Sequence, residues 1–317
     1  MQTFENPPAQ MRPILRPGHV ELRVHDLNES LLFYRDVLGL VDTGEDPQGR
    51  RYLKAWDERD HSSVVLTEAD RPGLDVMAFK VRSETLLDPL QRALLAADLD
   101  CERLSAGTLA KTGERLRVKL PSGHLMDLYG QKMHVGNGLS EVDPPVWHRD
   151  AEHGIGVSQF DHAVLYGPCL SRVRELFKDV LGFHVTERVM AADATSEFAL
   201  WLSSSQKPAD VVFVEHSAPG MLHRLAFRVD SAEQVLRAAD IFSMNQTLID
   251  VGPFRDPVAR RVSVQAFDPS GNRIEIFWGG YACHADAAPV TWTWKKVGAS
   301  MALRDQRTRD RLLPDLT

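Results

Sequence analysis

Four stretches of the chain alternate polar and apolar residues with a period of two: His19-Val20-Glu21-Leu22-Arg23-Val24, Val76-Met77-Ala78-Phe79-Lys80-Val81, Arg224-Leu225-Ala226-Phe227-Arg228-Val229 and, more weakly, His162-Ala163-Val164-Leu165. Such alternation predicts strands with one face on a core and the other turned away from it. Counting the first residue of each stretch as zero, the mostly apolar odd positions pack under a helix. The often polar even positions face a cavity. Helical patterns follow at about 28–38, 83–97, 170–181 and 231–243. The first and third end in Val-Leu-Gly, which places Gly39 and Gly182 as left-handed caps. Each unit reads as a strand, a helix and then several strands.

The units recur in pairs. Phe33-Tyr34-Arg35-Asp36-Val37-Leu38-Gly39-Leu40 returns as Leu176-Phe177-Lys178-Asp179-Val180-Leu181-Gly182-Phe183, an offset of 143 residues, and Pro121-Ser122-Gly123 returns as Pro269-Ser270-Gly271, an offset of 148. Two copies of a unit of about 145 residues therefore lie in tandem. They join near residues 136–156, where Gly, Pro, His and Asp accumulate and apolar periodicity lapses. The expected domains are 12–135 and 157–300, with a tail at 301–317. The two Pro-Ser-Gly triplets are turn chemistry.

Composition narrows the classes. With 43% hydrophobic and 26% charged residues, the 317-residue chain is globular and long enough for two domains. Lys and Arg number 37 against 44 Asp and Glu, a formal net charge of −7 without a clustered basic face, so nucleic acid is excluded as a partner. No apolar run has membrane-spanning length, and MQTFENPPAQ lacks the features of a secretory signal, so no membrane partner and a cytoplasmic location are expected. Cys101, Cys169 and Cys283 are odd in number and far apart, hence reduced thiols rather than a disulfide framework or a metal site.

The segments Arg-Pro-Gly-His-Val, Tyr-Leu-Lys-Ala-Trp, Phe-Asp-His-Ala, Leu-Arg-Ala-Ala-Asp, Asp-Pro-Ser-Gly-Asn-Arg and Pro-Val-Thr-Trp-Thr carry a likeness that runs from Arg16 to Thr317. The chain resembles the type I extradiol ring-cleaving dioxygenases of the catechol 2,3-dioxygenase family, within the vicinal oxygen chelate superfamily. That resemblance implies an α+β fold of four βαβββ modules forming two open barrels. It further implies a homo-oligomer, dimer or tetramer, with a degenerate first domain and a second that holds non-haem Fe(II) with two His and one Glu. In the first domain the corresponding positions are His19, Val76 and Asp127, an incomplete set.

In the second domain the ligand positions fall on His162, Arg224 and Glu275, so only His162 and Glu275 remain as ancestral metal ligands. Arg224 stands in Leu222-His223-Arg224 where the family carries the later His of a Leu-His-His run. The supporting groups that orient the catecholate, move protons and stabilise the oxygen adduct fall on Ala209, Asp256 and Gln265, and are all lost. Glu275 alternates with Ile274 and Ile276 and therefore faces the cavity, where a buried carboxylate needs a partner. Arg224 is that partner, or a clamp for an anionic substrate. His223, one residue away, should point with Leu225, Phe227 and Val229 to the opposite face unless a bulge intervenes. A guanidinium about 5 Å from a divalent ion at an effective dielectric of about 20 opposes binding by roughly 6 to 7 kcal/mol. Asp256, after Gly252-Pro253, belongs on a loop at the cavity mouth. Trp201, Phe213, Met301 and Trp278 either line an aromatic pocket or fill the core.

The readings that follow differ in chemistry. The favoured one is a family member that binds a small aromatic or related anion in the second barrel, with no cofactor and with iron-dependent ring cleavage lost or replaced; Arg224, Asp256 and Gln265 are then its candidate catalytic residues. The alternative is an active extradiol dioxygenase with rearranged ligands, which requires Fe(II). A third is a silent partner of an intact paralogue.

Overall fold

The computed structural model describes residues 12–135, 153–256 and 258–297, with the backbone of the last helix continuing to Met301. The first half contributes β1 (Ile14–Val24), β2 (Val41–Glu45), β3 (Arg51–Lys54), β4 (Val64–Glu68), β5 (Gly73–Val81), β6 (Cys101–Leu104), β7 (Arg115–Lys119) and β8 (Leu125–Tyr129). The second contributes β9 (Gln159–Gly167), β10 (His184–Met190), β11 (Glu197–Ser203), β12 (Val211–Glu215), β13 (Met221–Arg228), β14 (Ile249–Asp256), β15 (Arg261–Phe267), β16 (Arg273–Gly279) and β17 (Val290–Thr293). Helices α1 (Leu27–Leu32), α2 (Leu87–Ala96), α3 (Leu170–Glu175) and α4 (Ala232–Met244) follow β1, β5, β9 and β13, and α5 (Trp294–Met301) follows β17. The pattern strand, helix, three strands therefore occurs four times. None of the described helices is long and apolar enough to cross a membrane.

Pairing turns each pair of modules into one curved sheet, in the orders β2-β3-β4-β1-β5-β8-β7-β6 and β14-β15-β16-β13-β9-β12-β11-β10-β17. At each centre the two opening strands run antiparallel, β1 with β5 and β9 with β13. Each also takes the closing strand of its own module as a parallel neighbour. This is the tandem vicinal oxygen chelate arrangement. The second sheet carries β17 as an extra parallel strand on β10.

One core joins the halves. It draws Leu31 and Phe33, Leu90 and Leu94, Val173 and Phe177, and Val235 and Phe242 from the helix of each module and the turn that follows it, with the outward positions of both sheets. Phe33 stacks on Phe242, and Phe79 meets Phe177 and Phe183 edge-on. Helix α4 begins with a capping box in which Ser231 and Gln234 satisfy each other's backbone N–H groups. Helices α1 and α3 end differently from an ordinary α-helix, each widening into a π turn over Phe33–Val37 and Leu176–Val180. Gly39 and Gly182 then reverse the chain at φ +84° and +74°.

Candidate functional site

The concave face of the second sheet is built by register. Ala226 on β13 faces His162 on β9 and Glu275 on β16, and Glu275 in turn faces Gln265 on β15, so His162, Glu275 and Gln265 lie in one row across the strands. Below them Val164, Tyr166, Ala209, Val212 and Val214 form an apolar floor packed by Trp201 and Trp292.

Arg224 reaches the row from two residues earlier on β13. Its Nε donates to Glu275 Oε2 at 2.7 Å, and both side chains are largely buried. The pairing of β13 with β9 slips between Leu222 and Arg224, so His223 is the extra residue of a bulge. The bulge overrides the alternation that placed His223 on the core face: its ring lies 4.9 Å from that of Tyr166, and its Nδ1 is 2.9 Å from Arg224 Nη1.

A second guanidinium, not anticipated from the sequence, closes the row. Arg261 opens β15 with Nη1 3.2 Å from His162 Nε2 and 3.9 Å from Glu275 Oε2, and its guanidinium lies 4.8 Å from the centre of the Phe277 ring. The tandem offset that relates Asp127 to Glu275 relates Arg261 to Gly113, so comparison of the two halves was the signal available for it. His162 Nδ1 is 2.7 Å from Asp161 Oδ1, and a carboxylate partner there requires the proton on Nδ1. The lone pair of Nε2 then faces Arg261. Lys207 anchors Asp161 by bonding its carboxylate and its backbone carbonyl, and pairs with Asp210.

The electrostatics follow from these contacts. Burial alone would raise the Glu275 carboxyl, but Arg224 and then Arg261 hold it well below the usual carboxylate range. Burial, against the pull of Asp161 and with help from Arg261, lowers the His162 imidazole, so it is neutral. The atoms that a divalent ion would need, His162 Nε2 and a Glu275 oxygen, each meet a guanidinium, and Arg keeps its proton at any ordinary pH. Fe(II) does not fit the residues as they are placed. Among the described residues no three His, Cys, Asp or Glu side chains converge to hold a metal ion. The first barrel has a parallel arrangement, since Asp127 accepts from Arg115 at 2.6 Å and from Arg117 at 2.7 and 3.0 Å.

The remaining candidates separate. Gln265 is buried in the row. Asp256 ends β14 rather than standing on a loop, accepts from the backbone N–H groups of Val258 and Ala259, and lies 3.9 Å from Arg261 Nε. Trp201 packs on the apolar floor. Phe213 does not line the pocket: on β12 it is Val212 and Val214 that face the cavity, while Phe213 points into the shared core against Phe177 and His124. Its stretch Val211-Val212-Phe213-Val214 is apolar at every position, so alternation could not choose a face. Trp278 is 38% exposed and borders a cleft of about 540 Å³ that also takes in His162, Lys207, Ala209, Arg261 and Tyr281. The side chain of Met301 lies outside the described residues.

Comparison with known proteins agrees with this architecture. Residues 74–133 match the model of the Catechol 2,3-dioxygenase-like N-terminal domain, and residues 159–276 that of the Glyoxalase/Bleomycin resistance protein/Dioxygenase superfamily. The chain is 44% identical over 305 residues to a metapyrocatechase of Pseudomonas sp. (strain CF600), covering 96% of this chain and 99% of that protein. It is 26% identical over 295 residues to the manganese-dependent 2,3-dihydroxybiphenyl 1,2-dioxygenase of Geobacillus genomosp. 3, covering 88% and 90%. The 2,3-dioxygenase LapB of Pseudomonas sp. KL28 superposes with a TM-score of 0.87 at 49% identity, over 90% of this chain and 99% of that one. With that coverage and identity, the chain belongs to the catechol 2,3-dioxygenase family.

Proposed function

We propose that the second barrel binds a small aromatic or related anionic compound and that iron-dependent ring cleavage by the family's usual route is lost or replaced. The observation that carries this reading is the double guanidinium contact: Arg224 on Glu275 and Arg261 on His162, at the two positions left from the ligand set. Arg224 has five N–H donors, of which Glu275 and His223 engage Nε and Nη1, so the fork retains capacity for an anion. The aromatic class of ligand is supported by the relatives, one named for 2,3-dihydroxybiphenyl and a structural neighbour, homoprotocatechuate 2,3-dioxygenase of Brevibacterium fuscum, solved with 3,4-dihydroxyphenylacetate. The test is iron content and catechol consumption on one sample, purified without oxygen and supplied with ferrous iron. Far less than one iron per chain and no yellow ring-opened product are expected. Near-stoichiometric iron with rapid yellowing overturns the reading.

A second reading, an active extradiol dioxygenase with rearranged ligands, is favoured by two observations. The bulge puts the His223 ring on the cavity side, and Glu275 Oε1 is buried without a hydrogen bond among the described residues. It requires Arg224 and Arg261 both to swing away, and the same iron measurement decides it.

A further inference from the structure

We infer that Arg261, rather than Arg224, is the residue that takes the charge of the ligand, and that the ligand is a planar aromatic carboxylate seated in the cleft beside Trp278; this rests on the proposed anion-binding function. The two arginines differ in what they have left to give. Arg224 closes on Glu275 at 2.7 Å and on His223 at 2.9 Å. Arg261 meets both of its carboxylates, Asp256 and Glu275, only at 3.9 Å, beyond hydrogen-bond range. Among the described residues its close polar contact is Nη1 to His162, and its Nε is buried with no hydrogen-bond partner. Leaving a buried charged donor unmade costs about 1 to 3 kcal/mol or more. Nε shares one edge of the guanidinium with Nη2, and that edge has the spacing of a carboxylate; Asp256 faces it at 3.9 Å without closing on it, so a bound carboxylate takes the place Asp256 approaches.

The surroundings select the class of anion. Arg261 is only 6% exposed and lies over the Phe277 ring, so its fork is preorganised rather than floppy. The cleft in front of it, about 540 Å³, is bordered by Trp278, Pro208, Ala209 and Tyr281, the last with Arg260 over one face of its ring. Trp278 borders the cleft with 38% of its surface exposed, as a stacking platform would be. The other cations of the cleft are poorer candidates. Lys207 has its three donors taken by the Asp161 carbonyl, the Asp161 carboxylate and Asp210. Arg228 is exposed, where water screens its charge. Nor does the fold itself demand a guanidinium here, because the first half carries Gly113 at the equivalent place.

The experiment compares benzoate with benzamide, a neutral molecule of the same shape, by calorimetric titration and melting temperature on the full chain. Wild-type protein should bind benzoate at least tenfold more tightly than benzamide. Arg261→Gln should weaken benzoate at least tenfold and leave benzamide unchanged, whereas Arg228→Gln should change neither. Arg261→Lys keeps the charge without the fork and should fall between; it serves as the reading should Arg261→Gln fail to fold. Trp278→Ala should weaken both probes. Benzoate binding that survives Arg261→Gln and Arg261→Lys at wild-type strength overturns this inference and leaves the proposed function standing. Failure of the wild type to bind either probe removes the proposed function and the inference together.

Discussion

Arg224 and Glu275 are a buried pair, and such pairs are asymmetric in their consequences: removing one partner strands the other, while replacing both with apolar groups is often neutral. Arg224→Met should therefore cost about 3 kcal/mol, the low end of the usual 3 to 5, because Arg261 remains 3.9 Å from Glu275 and takes part of the charge. Arg224→Met combined with Glu275→Leu should recover most of that loss. Urea unfolding of the two variants reads it, and a single variant as stable as wild type means that the pair is not held as the 2.7 Å contact implies. The same residues set the test for metal. Arg224→His restores a two-His, one-carboxylate set with His162, yet Arg261 still donates to His162 at 3.2 Å. Iron affinity should rise by about four decades in Arg224→His and by about as many again when Arg261→Gly is added, since each guanidinium near a divalent ion opposes it by roughly 6 kcal/mol. Ring cleavage should stay negligible in both, because Ala209, Asp256 and Gln265 offer none of the proton-handling groups that the resemblance implies. An iron titration in which the double variant gains nothing would show that these arginines do not control the site.

At the level of elements, what could be read from the chain and what could not divide along physical lines. The first four helices were legible because apolar spacing, caps and the repeated Val-Leu-Gly ending agree with one another, and all four lie where that pattern put them. The cavity face of Glu275 was legible from its alternation with Ile274 and Ile276. Three features were hidden, each for its own reason. A bulge shifts parity without any mark in the residue types, which put His223 on the wrong face. A fully apolar strand carries no parity at all, which left Phe213 undecided between pocket and core. Arg261 opens β15 straight after the turn residues Val258, Ala259 and Arg260, and reads as a solvated charge until the register places it over His162. The helix endings allow a direct test. Gly39 and Gly49 both have φ near +80°, but a Cβ at Gly39 would lie 2.2 Å from the His153 carbonyl, whereas one at Gly49 would meet open space. Gly49→Ala should cost about 1 kcal/mol, the strain of the left-handed conformation alone, and Gly39→Ala at least about 2 kcal/mol more. Equal losses in chemical denaturation would mean that the turn after α1 has room to open.

Across the whole molecule the two barrels are separate sheets over a single core, so they should unfold together. Trp56 belongs to the first half while Trp201, Trp278, Trp292 and Trp294 belong to the second, which lets fluorescence of variants retaining one reporter compare the halves. Coincident urea transitions are expected, with Phe79→Ala lowering both by about 3 to 5 kcal/mol through its contacts to Phe177 and Phe183. Acid should act on the same joint. His124, just before β8, reaches across to the second half, where its Nε2 is 3.1 Å from the Met221 carbonyl and its ring meets Phe213 edge-on, and Ser122 Oγ lies 2.9 Å from its Nδ1. These contacts suit the neutral ring, with Nε2–H donating and Nδ1 accepting. Burial pushes its pKa down to about 4. The unfolded chain therefore binds a proton between about pH 6.5 and pH 4 that the folded chain refuses, so the contribution is intact above pH 6.5 and is lost as the pH falls toward 4. The full loss is about 3 kcal/mol. His124→Gln keeps an N–H for the Met221 carbonyl but cannot titrate. Its unfolding free energy, measured in urea at pH 7, 6 and 5, should fall less steeply than that of wild type by close to one proton over this window. Parallel pH profiles would place the acid sensitivity elsewhere, and would mean that the joint between the barrels does not depend on a neutral His124.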